Sequence, residues 1–498
     1  MMGITGTDRI SELPESITHH ILSFLPIKRA ASTTILSKRW NNLWLSLPVL
    51  DFTEWRSPPT ATTALEDRNE EEEDEEADSD TDGSEQEYRV IKDSPPVDLS
   101  ETDRFMQFLD KVLFLDNLAH IKKFCLKTDS KYFDQDRVKK WIISIVMHAV
   151  EELILSIKCS GSRVVPLELF NCESLTVLDL QFENKQVIDQ SPLSPISFQR
   201  LKKLRLSFIE FKDERLAVQV FCNCPVLEDL HMSKVSWKGL DVLCFALPRL
   251  KFFGIAFCGR KCIENVKIKF DTPNLLSLTW FDYLPEEFIV DSFPCLVEAG
   301  IRYNFSEGYT KSKYDSLHKF VEKVSHVKHL MVSHTYFYPK ILDDSSVLPR
   351  SFHMFRNLVS FEVDIMYYGQ IKSLFDTILQ FSPNLTSLVF LQLFAYVKVG
   401  EDALSLNVVP RCLLLCLKFI EFRNFYGHPG EIEVVKLFLE NARVLQLITL
   451  GSSSHRLEYM NKKKPTAEEV EDANHKILEQ LLPFSWASPD CMVTFSGP

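Results

Sequence analysis

Residues 8–52 read DRISELPESITHHILSFLPIKRAASTTILSKRWNNLWLSLPVLDF, a run of three short helical patterns. Pro14 opens the first, where a helix tolerates a missing N–H, and Glu15 beside it suits the positive helix end. Leu13, Ile17, Ile21 and Phe24 recur at helical spacing, and Leu22 and Leu25 widen the stripe. Pro26 breaks that helix and opens a second, with Ile27, Ala30, Ala31 and Ile35 on one face. Ser37 is placed to cap a third helix carrying Trp40, Leu43, Trp44 and Leu47, with Lys38 and Arg39 on its solvated side. A segment this short is marginal as an isolated fold, and it carries more apolar surface than it can bury. The pattern predicts one half of an interface with another protein. The plainer alternative is a three-helix cap on the domain that follows.

Leu13-Pro14, Ile17, Ile21-Leu22, Leu25-Pro26, the run Leu36-Ser37-Lys38-Arg39-Trp40, Leu43-Trp44 and the closing Leu50-Asp51-Phe52 carry a specific likeness. On them the segment resembles an F-box, in the form common among plant F-box proteins with leucine-rich repeats. The resemblance implies docking on a Skp-type adaptor, which links such chains to a cullin-based ubiquitin ligase. It further implies that Leu13, Pro14, Ile17, Ile21, Leu25, Pro26 and Trp40 lie at or just behind the adaptor contact.

From about residue 120 a short strand pattern recurs, L-x-x-L-x-L with any large apolar residue as L. Thirteen copies run from Ile121-Phe124-Leu126 and Val150-Leu153-Leu155 to Leu445-Ile448-Leu450, with starts 21 to 32 residues apart and 27 on average. That period lies in the leucine-rich-repeat range. The final L-x-L alternates with the period of a strand, so its apolar residues enter a core and the intervening ones face outward. Stacked copies predict a parallel sheet along the concave wall of a degenerate solenoid with irregular outer connections. An Asn or Cys three places after the last leucine, the usual companion, is clear only at Cys258 and Asn304. An unrelated α/β domain with parallel strands is the alternative.

Cys416 to Leu450 combines a Leu417-Ile420-Phe422 strand, a Gly427/Gly430 turn, a helix from Glu431 to Asn441 and a strand ending at Leu450. It resembles the FBD segment that closes many such proteins, and the tail from Leu481 to Ser496 is similar to their ending. Between them, Val470, Ala473, Ile477 and Leu481 share one face of a helix expected over 466–482. Physically this is a cover for an open solenoid end. The expected organisation is α/β: a three-helix F-box over 8–54, an acidic disordered linker over 56–98, a repeat solenoid over 100–415 and an FBD-like cap over 416–498.

Charge is local. Of 69 acidic residues, fourteen fall within residues 66–87 against one base, Arg68, so this stretch alone accounts for the net charge of −13. Such composition does not repay the entropy of ordering and reads as a solvated tether. An acid-flanked phosphorylation site at Ser79 or Ser84, or a contact for a basic partner, is the sharper reading. The neutral remainder offers no electrostatic footprint for nucleic acid. No apolar run reaches the length of a membrane span, and no secretory signal opens the sequence. The twelve scattered cysteines suit reduced thiols in the cytosol or nucleus, and none of their closest pairs has zinc-ligand spacing. Lys462-Lys463-Lys464 reads as a polar loop or a nuclear import signal. No catalytic or phosphate-cradling motif occurs, so no enzyme and no cofactor are expected. His326, His329 and His334 form the densest histidine group, and His329 falls at an outward position of a repeat strand.

These readings lead to a non-enzymatic substrate receptor whose F-box holds the adaptor while the repeats hold a target protein. The alternation gives Arg205, His231, Phe281, Arg302, Glu362 and Arg423 as target-facing candidates, since exposed aromatic and arginine side chains anchor interfaces. For any one of them an ordinary solvated face is the competing reading. A scaffold that uses its F-box without ubiquitin transfer is the alternative function.

Overall fold

The computed structural model describes residues 13–53, 99–114, 120–189, 196–303, 311–333, 354–393, 406–451 and 466–496, except positions 26, 37–39, 41–42, 197, 264, 282, 366–367 and 407. The expected linker, the Ser37 cap, Pro26, Asn304 and His334 lie outside these residues. The chain divides into two compact units, Met1–Ile188 and Asp189–Pro498.

In the first unit, Pro14 caps the Glu15–Ser23 helix with extended backbone, and its carbonyl accepts from the Ile17 and Thr18 amides. The second helix is short, Ile27–Ser32, and tightens into a 3-10 turn over Thr33–Ile35. Where a third helix was expected, a 3-10 turn spans Leu43–Ser46 and leads into a strand at Val49–Asp51. That strand pairs in parallel with Lys123–Cys125, although residues 54–98 intervene in sequence. Trp44 stacks on Phe108 at 5.9 Å, and Phe52 meets Phe124 at 5.6 Å and Phe105 at 6.1 Å. The amino-terminal helices and the first repeat therefore share one core. Strands Lys123–Phe133, Glu152–Cys159 and Val177–Ile188 continue the parallel ladder. Helices Leu99–Leu113 and Gln135–Met147 are locked together where the Trp141 indole donates to Asp110 at 2.7 Å and Ser144 donates to the Leu113 carbonyl.

The second unit is built on eleven parallel ladder strands among the described residues: Lys203–Phe211, Asp229–Ser233, Phe252–Ala256, Ser277–Phe281, Glu298–Arg302, His329–Val332, Ser360–Ile365, Ser387–Leu393, Phe419–Phe422, Leu447–Leu450 and Met492–Phe495. All thirteen repeat copies are strands, and every large apolar residue of the L-x-x-L-x-L pattern is buried. On the main path of the ladder two strands lie beyond the pattern, Val49–Asp51 in the first unit and the tail strand Met492–Phe495 in the second. At three copies an asparagine directly before the first leucine bridges to the previous repeat, and Asn184 and Asn424 do so after theirs. Asn274, Asn357 and Asn384 each donate to a turn carbonyl one repeat earlier, those of Pro248, His326 and Arg356.

A second parallel sheet, Val242–Ala246, Lys267–Asp271 and Glu287–Ile289, runs behind three neighbouring repeats. Its inward residues Leu243, Phe245, Ile268 and Phe270 are buried, and Phe245 and Phe270 pack edge-on against ladder residue Phe253 at 4.9 and 5.2 Å. Elsewhere the return segments are helical, as at Glu214–Cys222, Lys311–Lys323 and Pro429–Asn441. In the cap, Glu431 is fully buried at the start of its helix and accepts from the Tyr426 and His428 amides, and Gly427 turns the chain with φ 68°. The Ala467–Leu481 helix opens on a Thr466/Glu469 capping box and buries Ile477 and Leu481.

Candidate functional site

Two surfaces collect the residues that the sequence singles out. On the Glu15–Ser23 helix, Thr18 and Leu22 face inward at 2% and 0% exposure, and Ile17 and Ile21, about 100° round the helix, are only partly covered by the described residues. They are 45% and 39% exposed, and Phe24 at the helix end is 73% exposed, held edge-on to His20 at 4.8 Å. Leu13 and Leu25 are half-buried beside them, and Pro14 is exposed. Trp40 has a different position: it is 4% exposed and belongs to the interior with Trp44 and Leu47. A helix that leaves two β-branched residues and a phenylalanine in water has room on that side for a second hydrophobic partner.

The other surface is the outward face of the second unit's ladder. Strand register aligns Arg205, His231, Gly254, Thr279, Gly300, Met331, Glu362, Val389 and Glu421 in one row crossing the strands. Phe281 and Arg302 are paired one step along, and Arg423 follows the Phe419–Phe422 strand. All six candidates thus share the second unit's ladder, but they fall into separate groups. Asp229 gathers the first: Arg205 Nη2 donates to its Oδ2 at 3.0 Å, Lys203 Nζ lies 3.4 Å away and His231 Nδ1 sits 2.6 Å from its Oδ1. Burial works to raise the Asp229 pKa, but the His231 hydrogen bond and the charges of His231 and Arg205 outweigh it and lower it to about 2. In the second group, Arg423 reaches Glu362 at 3.5 Å and Glu421 at 3.4 Å, and Arg302 lies 3.6 Å from the buried Asp364.

Asp229 and Asp364 were missed by alternation alone, because each partners a residue on another strand. Arg205 and Asp229 are 24 residues apart, close to one repeat, so laying repeats in register brings them together. Between the two groups, Gly254 and Gly300 remove side chains from the row, and a depression of about 250 Å³ opens over Gly300, bordered by Thr279, Phe281, His329, Met331 and Glu362. His329 is exposed at its edge, as its outward position requires. Among the described residues there is no group of three metal-ligating side chains, and no helix is long and apolar enough to cross a membrane.

Comparison with known proteins gives three family models along the chain. One is the F-box domain, at residues 10–52; the second is described as FBD-associated F-box protein At5g56370, LRR repeats, at residues 138–296; the third is FBD, at residues 406–450. Full-length relatives come from Arabidopsis thaliana. Putative F-box/FBD/LRR-repeat protein At5g44950 is 26% identical over 463 residues, covering 90% of this chain and 92% of the relative. Putative F-box/FBD/LRR-repeat protein At3g59240 is 28% identical over 472 residues, covering 90% and 84%. F-box/FBD/LRR-repeat protein At1g78750 is 27% identical over 464 residues, covering 90% of each.

Proposed function

Because the chain is an F-box protein with leucine-rich repeats that closes in an FBD segment, we propose that it is the substrate-recognition subunit of a Skp-cullin-F-box ubiquitin ligase, working in the nucleus, the cytoplasm or both. It is not itself the enzyme in this reading. The F-box docks the adaptor, the adaptor joins the cullin, and the ladder face holds a target protein while recruited enzymes transfer ubiquitin. The observation that carries the proposal is the uncovered apolar side of the Glu15–Ser23 helix, at Ile17, Ile21 and Phe24.

Fully burying an isoleucine side chain is worth roughly 1.5–3 kcal/mol, and placing a charge in such a contact reverses that gain. Ile17→Asp with Ile21→Asp is therefore expected to weaken capture of a Skp-type adaptor by about 100-fold or more. Both side chains are partly exposed in the chain alone, so the fold is expected to survive the change. Co-purification with the adaptor, beside Leu13→Ala with Pro14→Ala, checks it. Full adaptor retention by the Asp double variant would remove the docking assignment.

A further inference from the structure

We propose that the ladder face receives an extended acidic segment of the target, anchored by one bulky apolar side chain about six residues from its carboxylates. This rests on the receptor reading above and adds the chemistry of the target. Lys203 and Arg205 share a single carboxylate, Asp229, so that end of the face keeps a surplus of positive charge. Lys234, at the end of the adjoining strand, lies over the Phe208 ring at 4.5 Å rather than on a carboxylate. The opposite side of the glycine-floored stretch carries Glu298 and Glu362 beside the depression. A carboxylate is thus attracted at Arg205 and repelled at Gly300, which fixes the direction in which an acidic segment lies.

The depression supplies the second point. Its volume of about 250 Å³ exceeds the roughly 150 Å³ cavity that admits benzene, so it takes one large apolar side chain. Phe281 and Met331 give it apolar walls. Three non-glycine residues hold left-handed backbone on successive strands: Phe208 within Lys203–Phe211 at φ 59°, and Lys234 and Phe257 just past the ends of the next two at φ 51° and 54°. Phe257 is 60% exposed there, and its amide donates to the Phe281 carbonyl at 3.0 Å, so the core does not account for its ring. Phe208 thus stands on the strand of Arg205 at the cationic end, and Phe257 presents an exposed ring between that end and the depression. Arg205 and Gly300 are four strand steps apart, about 19 Å at ~4.8 Å per step, and an extended chain covers that in about six residues.

Fluorescein-labelled peptides carrying two glutamates and one tryptophan, separated by two to ten glycine and serine residues, test the idea by anisotropy against the full chain. Binding is expected to peak near a separation of six, and to fall at least tenfold with lysine for glutamate, with Arg205→Glu or with Gly300→Leu. A Cβ at Gly300 meets its nearest neighbour, the Phe281 ring, at 3.5 Å, an ordinary contact. Should that variant nevertheless melt early, Met331→Glu tests the same wall. Equal affinity at every separation, wild-type binding by both variants, or no binding at about 1 mM peptide overturns the proposal. Adaptor capture by the same preparation separates the failures: adaptor kept without spacing-dependent binding sinks this inference alone, whereas adaptor lost sinks the receptor reading.

Discussion

Asp229 accepts from Arg205 and stands against His231, and that sharing sets how it titrates. Its pKa falls from 3.8 to about 2, so the ionised group stabilises the fold fully above its ordinary value and progressively less as pH drops through that window. The stability gap between wild type and Asp229→Asn is expected to narrow as pH falls from about 4 toward 2, as read from urea midpoints. A gap that widened across that window would contradict the assigned sign. The thiols make a second residue-scale prediction. Burial pushes Cys159, Cys222, Cys224 and Cys412 up to about 12, while Cys295 is exposed. Since the thiolate is the reactive form, iodoacetamide should modify Cys295 first and reach those four only after denaturation, checked by mass spectrometry. At this scale the sequence reveals which side chains leave the ladder but not what they meet. Arg205, His231, Arg302, Glu362 and Arg423 each find an opposite charge on the face, which alternation along one strand does not report.

Strand positions were legible because three apolar residues per copy repeat at one spacing, and burial of all of them leaves no other register open. The Val242–Ala246, Lys267–Asp271 and Glu287–Ile289 sheet was not, since its short runs sit in connecting segments of uneven length. It exists because Phe245 and Phe270 need a partner, and Phe253 offers one through the back of the ladder. Asparagine rungs were only partly legible, since they fall before three copies, at Asn274, Asn357 and Asn384, and after two others, at Asn184 and Asn424. The cap shows the same dependence on close approach. The Gly451 amide donates to the Phe422 carbonyl at 2.6 Å, and a Cβ there would overlap the Arg423 carbonyl, a backbone atom just past the Phe419–Phe422 strand whose own amide is tied to the Phe390 carbonyl. Gly451→Ala is therefore expected to cost about 1–3 kcal/mol and to speed hydrogen exchange in Leu447–Leu450 and Met492–Phe495. Wild-type exchange in both strands would show that the cap has slack there.

At the scale of the whole molecule, the shared core of the first unit decides which experiment separates a degrading receptor from a scaffold. Deleting the F-box is the obvious control, but it also removes the Val49–Asp51 strand from Lys123–Cys125 and strips Trp44 and Phe52 from Phe108, Phe105 and Phe124. Losing buried aromatic contacts of this kind costs about 3–5 kcal/mol per large side chain, comparable to the whole margin of an ordinary domain. A chain starting at residue 99 is expected to melt earlier and to lose target binding through misfolding, whatever its role in the cell. The double variant Ile17→Asp, Ile21→Asp touches only the water-facing side of the Glu15–Ser23 helix, so its melting temperature should stay within about 2 °C of wild type. In cells it should still bind its target while losing the adaptor. A ligase subunit then leaves that target more abundant and longer-lived, by pulse-chase, than wild type does. An unchanged target half-life, with adaptor loss confirmed, favours the scaffold, because the same surface would then serve docking without destruction.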